Sequence, residues 1–237
     1  GRSVRFGGVQ FGTNFATQPT LVTTPMLAAR GSAVVPSTVD VFVNGAQVAS
    51  QAVPPGPFTI DHVPSITGAG QMQVVITDAL GRQQVLSQPY YTGPALLRAG
   101  LNEYSFELGS MRQDYGYASN SYGDLVTAAT FRRGFTDQVT AEAHVEAQAG
   151  GPAAVGLNGA WQMGEFGILS ATMAGGGVDA LGWLAGFGFE HNGQRSSLFA
   201  RTQFASESFA QLGTVELENT PKQRTFVGFG LDFARYG

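Results

Sequence analysis

From about residue 100 to the end of the chain, apolar and polar positions alternate in segments of 9 to 12 residues. Val139, Ala141, Ala143, Val145 and Ala147 point one way, and Gln138, Thr140, Glu142, His144, Glu146 and Gln148 point the other. The same period of two runs through Val155, Leu157, Gly159, Trp161 and Met163, and through Leu181, Trp183, Ala185, Phe187 and Phe189. It returns in Val227, Phe229, Leu231 and Phe233. Val139 to Gln148 is rich in Ala and Glu, but a strict two-residue period argues for a strand over a helix. Ordinary soluble strands average about 5 or 6 residues, whereas a tilted membrane-spanning strand needs about 9 to 11. About eight strands are predicted, near 103–111, 123–133, 137–148, 153–163, 166–174, 181–190, 195–204 and 223–235. Tight turns at 134–137, 164–165 and 191–194 alternate with longer connections, including a glycine-rich loop at 174–179 and a polar stretch at 205–221.

The first hundred residues read differently. Residues 1–12 alternate loosely around Val4, Phe6 and Phe11, as a strand would, and 13–37 have no period and read as an extended linker. In 38–90 the pattern is that of a small soluble β-domain. Val39, Val41 and Val43 alternate with polar positions and are followed by Asn44-Gly45, the strongest short hairpin signal. Further strands are expected at Val48–Val53, Gln71–Thr77 and Arg82–Gln88. Between them lies V53-P-P-G-P-F-T-I60. Proline fixes φ and removes a backbone donor, so Pro54, Pro55 and Pro57 make a poor place for strand pairing, and Gly56 relieves the crowding. Phe58 and Ile60 are expected to enter the core of the small domain. Residues 91–237 complete the division as the long-stranded region.

Composition narrows the class. The chain of 237 residues has no cysteine, which excludes disulfides and thiolate chemistry. Net charge is -4, with 13 Lys+Arg in total and Lys222 as the one lysine, too little basic charge for a nucleic-acid partner. Glycine, at 33 residues, is about 14% of the chain, roughly twice the usual ~7%. No run approaches the roughly 18 apolar residues of a membrane helix. The opening GRSVRFGGVQFG lacks a charged segment followed by an apolar one. Its first residues already read as a strand, and the expectation is a piece of a longer chain.

Candidate chemistry is sparse. His62, His144 and His191 form no His-x-His or His-x-x-x-His pair, and no cysteine can complete a metal site. There is no G-x-S-x-G elbow and no phosphate loop. No catalytic, cofactor or metal site is expected. If the long strands cross lipid, polar side chains must face a lumen. Arg132, Glu142, His144, Glu146 and Arg201 are the candidates for that face. Trp161, Trp183, Phe187, Phe189, Phe229 and Phe233 are the candidates for lipid contact. Two other readings remain at this point: a different plugged outer-membrane channel or porin, and a soluble β-rich adhesin or carbohydrate-binding module with Trp161, Trp183, Tyr115 and Tyr117 on one face.

Three stretches carry a resemblance: V9-Q-F-G-T-N-F-A-T-Q-P19, then V53-P-P-G-P-F58 with its T-G-A-G turn, then P89-Y-Y-T-G-P-A-L-L-R-A-G-L-N-E-Y-S-F106. Together they resemble the outer-membrane usher of chaperone–usher pilus assembly. The family usually has Pro where this chain has Ala99. The resemblance implies an all-β fold: a partial transmembrane β-barrel with an inserted small β-sandwich plug domain. It implies a twenty-four-stranded barrel in which residues 1–12 end the sixth strand, 38–90 are the plug, and about 100–235 supply the seventh to fourteenth strands. The tight turns would face the periplasm. It further implies a gated pore in the outer membrane with no cofactor. Its partners would be a periplasmic pilus chaperone, chaperone–subunit complexes, pilus subunits in transit and outer-membrane lipid.

Overall fold

A computed structural model describes residues 6–18, 20–112, 121–193, 195–212 and 222–231. Among these residues the fold is all-β apart from one 3-10 turn, Phe15–Thr17. The strands in chain order are β1 (Phe6–Gly12), β2 (Leu27–Ala33), β3 (Ser37–Val43), β4 (Ala46–Val53), β5 (Gly56–Val63), β6 (Gly68–Asp78) and β7 (Gln83–Thr92). They continue with β8 (Asn102–Arg112), β9 (Tyr122–Thr136), β10 (Val139–Gln148), β11 (Ala153–Gln162), β12 (Ile168–Gly177), β13 (Leu181–Asn192), β14 (Ser196–Ala205) and β15 (Gln223–Leu231).

β2 to β7 form the small domain, a four-stranded sheet in the order β4-β3-β6-β7 facing a two-stranded sheet β2-β5. Its core is the inward set of alternating residues: Val39, Val41 and Val43 of β3 meet Met72, Val74 and Ile76 of β6, with Ala29, Phe58, Ile60 and Val63 from the second sheet. Asn44 and Gly45 both have positive φ, at 49° and 85°, the geometry a two-residue hairpin turn requires. The Asn44 side chain then ties the turn inward. Its Oδ1 accepts from the Gln71 amide and its Nδ2 donates to the Tyr90 hydroxyl. At the β6–β7 turn, Asp78 accepts from the Arg82 and Leu80 amides and pairs with the Arg82 side chain; the Arg82 amide first, and then its side chain, hold the carboxyl below the ordinary range.

The remaining strands make one antiparallel sheet in the order β1-β8-β9-β10-β11-β12-β13-β14-β15. β1 and β8 are hydrogen-bonded neighbours, from Phe6 opposite Met111 to Gly12 opposite Ser105, although the whole small domain intervenes in sequence. The insert therefore leaves and re-enters the sheet between two adjacent strands, at the end that also carries the β9–β10, β11–β12 and β13–β14 turns. The strands after the insert run from 9 to 15 residues.

The sheet is open among the described residues, with β1 and β15 as edges, which fits a partial barrel. Several expectations need correction. The stretch 13–37 is not a structureless linker, because β2 lies inside it and pairs with β5. Its period is hidden by small residues (LAARGSA) and by a bulge: Leu27 pairs with Val63 and Ala29 with Ile60, which sets Asp61 and His62 against the single Ala28. His62 takes up the bulge with φ 62°. The proline-rich corner is not wholly unpaired. Only Pro54 and Pro55 lie outside strands, while Gly56 and Pro57 begin β5 opposite Ala33 and Ser32. Proline is tolerated there because β5 has a partner on one side alone. The glycine-rich stretch at 174–177 is strand, not loop, paired on both sides by β11 and β13.

Candidate functional site: a two-faced wall and a docked tether

Register carries each row of side chains across the sheet and separates two faces. One face is apolar in every strand. Trp161 lies in a row with Val139, Leu169 and Phe189, and Trp183 in a row with Gly175, Val155 and Val145. Phe187 and Phe229 share this face, the latter opposite Leu198. Among the described residues these side chains stand largely open: Trp183 is 54% and Phe229 66% exposed. Phe189, half-buried, stands on the same face, while Phe233, Tyr115 and Tyr117 lie outside the described residues. An apolar surface this continuous is not left to water in an ordinary soluble chain.

The opposite face is polar, and Arg132, Glu142, His144 and Glu146 each have a side-chain partner on it. Arg132 and Glu142 are direct cross-strand partners. The Arg132 guanidinium pairs with Glu103 at 3.2 Å, and Glu142 accepts from Asn158 at 2.9 Å. His144 sits 2.8 Å from the Thr130 hydroxyl through Nδ1 and 2.9 Å from the Glu146 carboxylate through Nε2. Arg201 belongs to the same face but stands apart, on β14 opposite Gly188. Among the described residues no cluster of three or more His, Cys, Asp or Glu could hold a metal ion.

At the turn end this polar face carries the tether that returns from the small domain to β8, residues 93–101. Arg132 donates to the Pro94 and Ala95 carbonyls at 3.0 and 2.8 Å. The buried Thr140 hydroxyl accepts from the Leu97 amide at 2.8 Å, and Asp137 accepts from the Ala99 amide at 3.0 Å. Leu96 is buried against Ile168 and Tyr91. A side chain at Gly134 would meet the Leu97 carbonyl at 2.2 Å, so the close approach depends on glycine. The small domain itself meets the sheet near the β13–β14 turn. The Tyr91 ring stacks on His191 at 5.8 Å, its hydroxyl accepts from the Asn192 amide at 3.1 Å, and Gln162 donates to its carbonyl. Burial raises the Tyr91 pKa; the Asn192 amide opposes the rise and the Glu190 charge adds to it.

The proline corner stands away from this contact. Pro54, Pro55 and Pro57 are exposed, and Gly56, with φ 120°, has open space around it. Phe58 and Ile60 lie in the small-domain core, at 9% and 7% exposure.

A family model, the outer membrane usher protein, matches residues 2–183. The chain belongs to this family. The F1 capsule-anchoring protein of Yersinia pestis is 32% identical over 142 residues, covering 60% of this chain and 16% of that protein. The outer membrane usher protein FimD of Escherichia coli is 38% identical over 84 residues, covering 35% of this chain and 9% of that one. PefC of Salmonella typhimurium, also an outer membrane usher protein, is 35% identical over 145 residues, 58% of this chain and 17% of that protein. The chain thus spans under a fifth of the length of these relatives. In fold it is similar to the P pilus usher (PapC) translocation pore, with a TM-score of 0.53 at 20% identity over 95% of this chain and 47% of that one. It is also similar to PapC in a P pilus tip assembly intermediate, with a TM-score of 0.61 at 19% identity over 90% of this chain and 28% of that one. Family membership places this usher chain in the outer membrane and outside the enzymes.

Of the residues that hold the tether and the small domain, sequence reasoning singled out Arg132 alone. Thr140 and Gln162 read as further polar positions of their strands, and Tyr91 stood only as part of the stretch at 89–106. The available clue was Leu96-Leu97, two large apolar residues in a connection that had no other reason to be apolar.

Proposed function

We propose that the nine-stranded sheet is part of the wall of a transmembrane usher barrel and that the small domain is its channel plug. The polar face with Arg132, Glu142, His144, Glu146 and Arg201 lines the passage. The apolar face with Trp161, Trp183, Phe187, Phe189 and Phe229 meets lipid. The full protein assembles and secretes pilus subunits brought by a periplasmic chaperone, through exchange of donated strands, which is β-strand addition. The driving force comes from strand exchange and folding in the subunits. The turn end, where the small domain hangs, is the periplasmic one.

The observation that carries this reading is the insertion of a self-contained β-domain between two hydrogen-bonded wall strands, β1 and β8. Both ends of that domain are tied to the wall at one place, and one tether is held on the polar face. In lipid every backbone group must bond strand to strand, which an antiparallel meander with one apolar face achieves once closed. The test is deletion of residues 27–92 from the full-length protein, with the flanks joined by a flexible linker. Ion conductance in planar bilayers and antibiotic entry into cells should both rise. A deleted protein that inserts normally and conducts no more than the parent would refute the plug assignment.

A further inference from the structure

The apolar face of the wall does not end at its last phenylalanine before the turns. His191 stands two residues beyond Phe189 on β13 and so on the same face. It lies in a register row with Leu198 of β14 and Phe229 of β15. Here the face runs into a cleft of about 560 Å³. Phe189, Leu198 and Phe229 line its wall side, and Phe166 borders it from the β11–β12 turn. Gly70, Pro89 and Tyr90 of the small domain line the side opposite. Pockets for small ligands run from ~300 to ~1,000 Å³, so the cleft has room for a headgroup and the first carbons of a chain.

Its polar groups are mostly acceptors. Glu165 is its one carboxylate, and among the described residues no Lys or Arg lines it. His191 Nδ1 lies 3.0 Å from the Phe166 carbonyl oxygen. That oxygen can only accept, so Nδ1 carries the proton and Nε2 of the neutral ring is left as an acceptor. Gly193 keeps the space beside this nitrogen clear. A side chain there would stand 3.1 Å from Nε2, 3.1 Å from the Ser196 carbonyl oxygen and 3.6 Å from the Ser196 hydroxyl. A carboxylate and a ring nitrogen set among phenylalanines suit an organic ammonium, which donates to both and is attracted by aromatic rings. The guanidinium that would suit an anion lies outside: Arg195 is exposed in the adjoining β13–β14 turn. Cation site within, anion site at the rim and an apolar floor continuous with the wall match a zwitterionic lipid.

We propose that this cleft binds a phospholipid with a primary-ammonium headgroup. The ammonium lies at Glu165 and His191, the phosphate at Arg195, and the acyl chains along Phe189, Leu198 and Phe229. The proposal rests on the apolar face meeting lipid. Because the small domain forms one side of the cleft, a bound headgroup also ties that domain to the wall, beside the stack of Tyr91 on His191. A quaternary headgroup has no N–H to donate and binds more weakly.

The test uses the full-length protein in phosphatidylglycerol vesicles, with heat-modifiable gel mobility as the check on folding. A trace of phosphatidylethanolamine with a free amine and a photoreactive acyl chain is the probe, and cross-links are mapped by mass spectrometry. Label should collect around Phe166, Phe189 and Leu198. Unlabelled phosphatidylethanolamine should compete there several-fold better than phosphatidylcholine or phosphatidylglycerol. Glu165→Gln removes the charge and Leu198→Trp fills the cleft. Each should cut the label at these residues several-fold and leave the label on β10 and β11 unchanged. Equal competition by the three lipids, or label indifferent to both variants, overturns the site while leaving lipid contact in place. A folded protein with no label on β10, β11 or the cleft removes lipid contact itself, and the site with it. Ser196→Cys, on a background free of other cysteines, probes the other occupant. Disulfide-linked dimers that form equally with and without phosphatidylethanolamine would give the cleft to a second copy and overturn the proposal.

Discussion

The small domain and the wall are both antiparallel sheets with a period of two, yet they place their apolar residues in opposite surroundings. In the small domain the alternating valines of β3 meet the alternating Met72, Val74 and Ile76 of β6 in a shared core. In the wall, Leu157, Trp183, Phe187 and Val227 alternate just as regularly and stand bare, more than half exposed. The same pattern therefore encodes two solvents. A sandwich supplies its own apolar phase by folding a second sheet over the first. Among the described residues the wall has no second layer, and the apolar phase proposed for it is lipid.

The largest expected effect is in the core that closes on itself. Phe58→Ala removes a buried ring from between the two small sheets and should cost the small domain about 3–5 kcal/mol. Proteolysis within 27–92 should become rapid while the wall remains protease-resistant. Loss of resistance in both regions would mean that they fold as one unit.

Leu157→Arg tests the other half of the comparison. A charge facing lipid near mid-height of a strand should cost the barrel about 2–4 kcal/mol, measured as a shift in urea unfolding of the full-length protein in lipid vesicles. The same substitution on a water-facing wall would be nearly silent, so a negligible shift would contradict lipid contact.

The junction between the regions comes next. Arg132→Ala takes charged donors from the Pro94 and Ala95 carbonyls and breaks the pair with Glu103, at about 1.5–3 kcal/mol for the charge-assisted bonds together. Amide exchange across 93–99 should accelerate with no change in the small-domain core. Tyr91→Phe should have the smallest effect, about 0.5–1.5 kcal/mol, because it keeps the ring on His191 and loses the bond from the Asn192 amide. It also carries a pH signature. The Tyr91 pKa is raised above 10.0, so its contribution is complete below pH 10 and is lost as pH rises through the higher folded value. Docking of the phenylalanine variant, followed by exchange at Asn192, should lack that alkaline loss.

Much of this was legible in the sequence because the period of two survives wherever alternate residues differ in polarity. Val139–Gln148 and Ala153–Gln162 were bounded to within two residues for that reason. The pattern failed where side chains are small or the ladder slips. β2 is mostly Ala, Gly and Ser, and a bulge at Asp61–His62 shifts its partner. Gly175–Gly177 looked like a loop because glycine signals turns, whereas here Gly176 lies under the Ala210 carbonyl. That segment, like Thr140 under Leu97, is explained by a distant chain crossing overhead. Such long-range cover leaves no periodic trace in the strand beneath it. Asn44-Gly45 and the core position of Phe58 were readable because their causes are local.

Whether one face of the wall meets lipid and the other an aqueous passage can be decided on β10. Single cysteines are placed from Ala141 to Glu146 in the full-length protein lacking residues 27–92, on a background free of other cysteines. They are then treated with a water-soluble, membrane-impermeant maleimide. The account predicts labelling at 142, 144 and 146, where Glu, His and Glu stand on the polar face, and protection at 141, 143 and 145, where Ala, Ala and Val face lipid. Uniform labelling along the strand, or the inverse alternation, would contradict it.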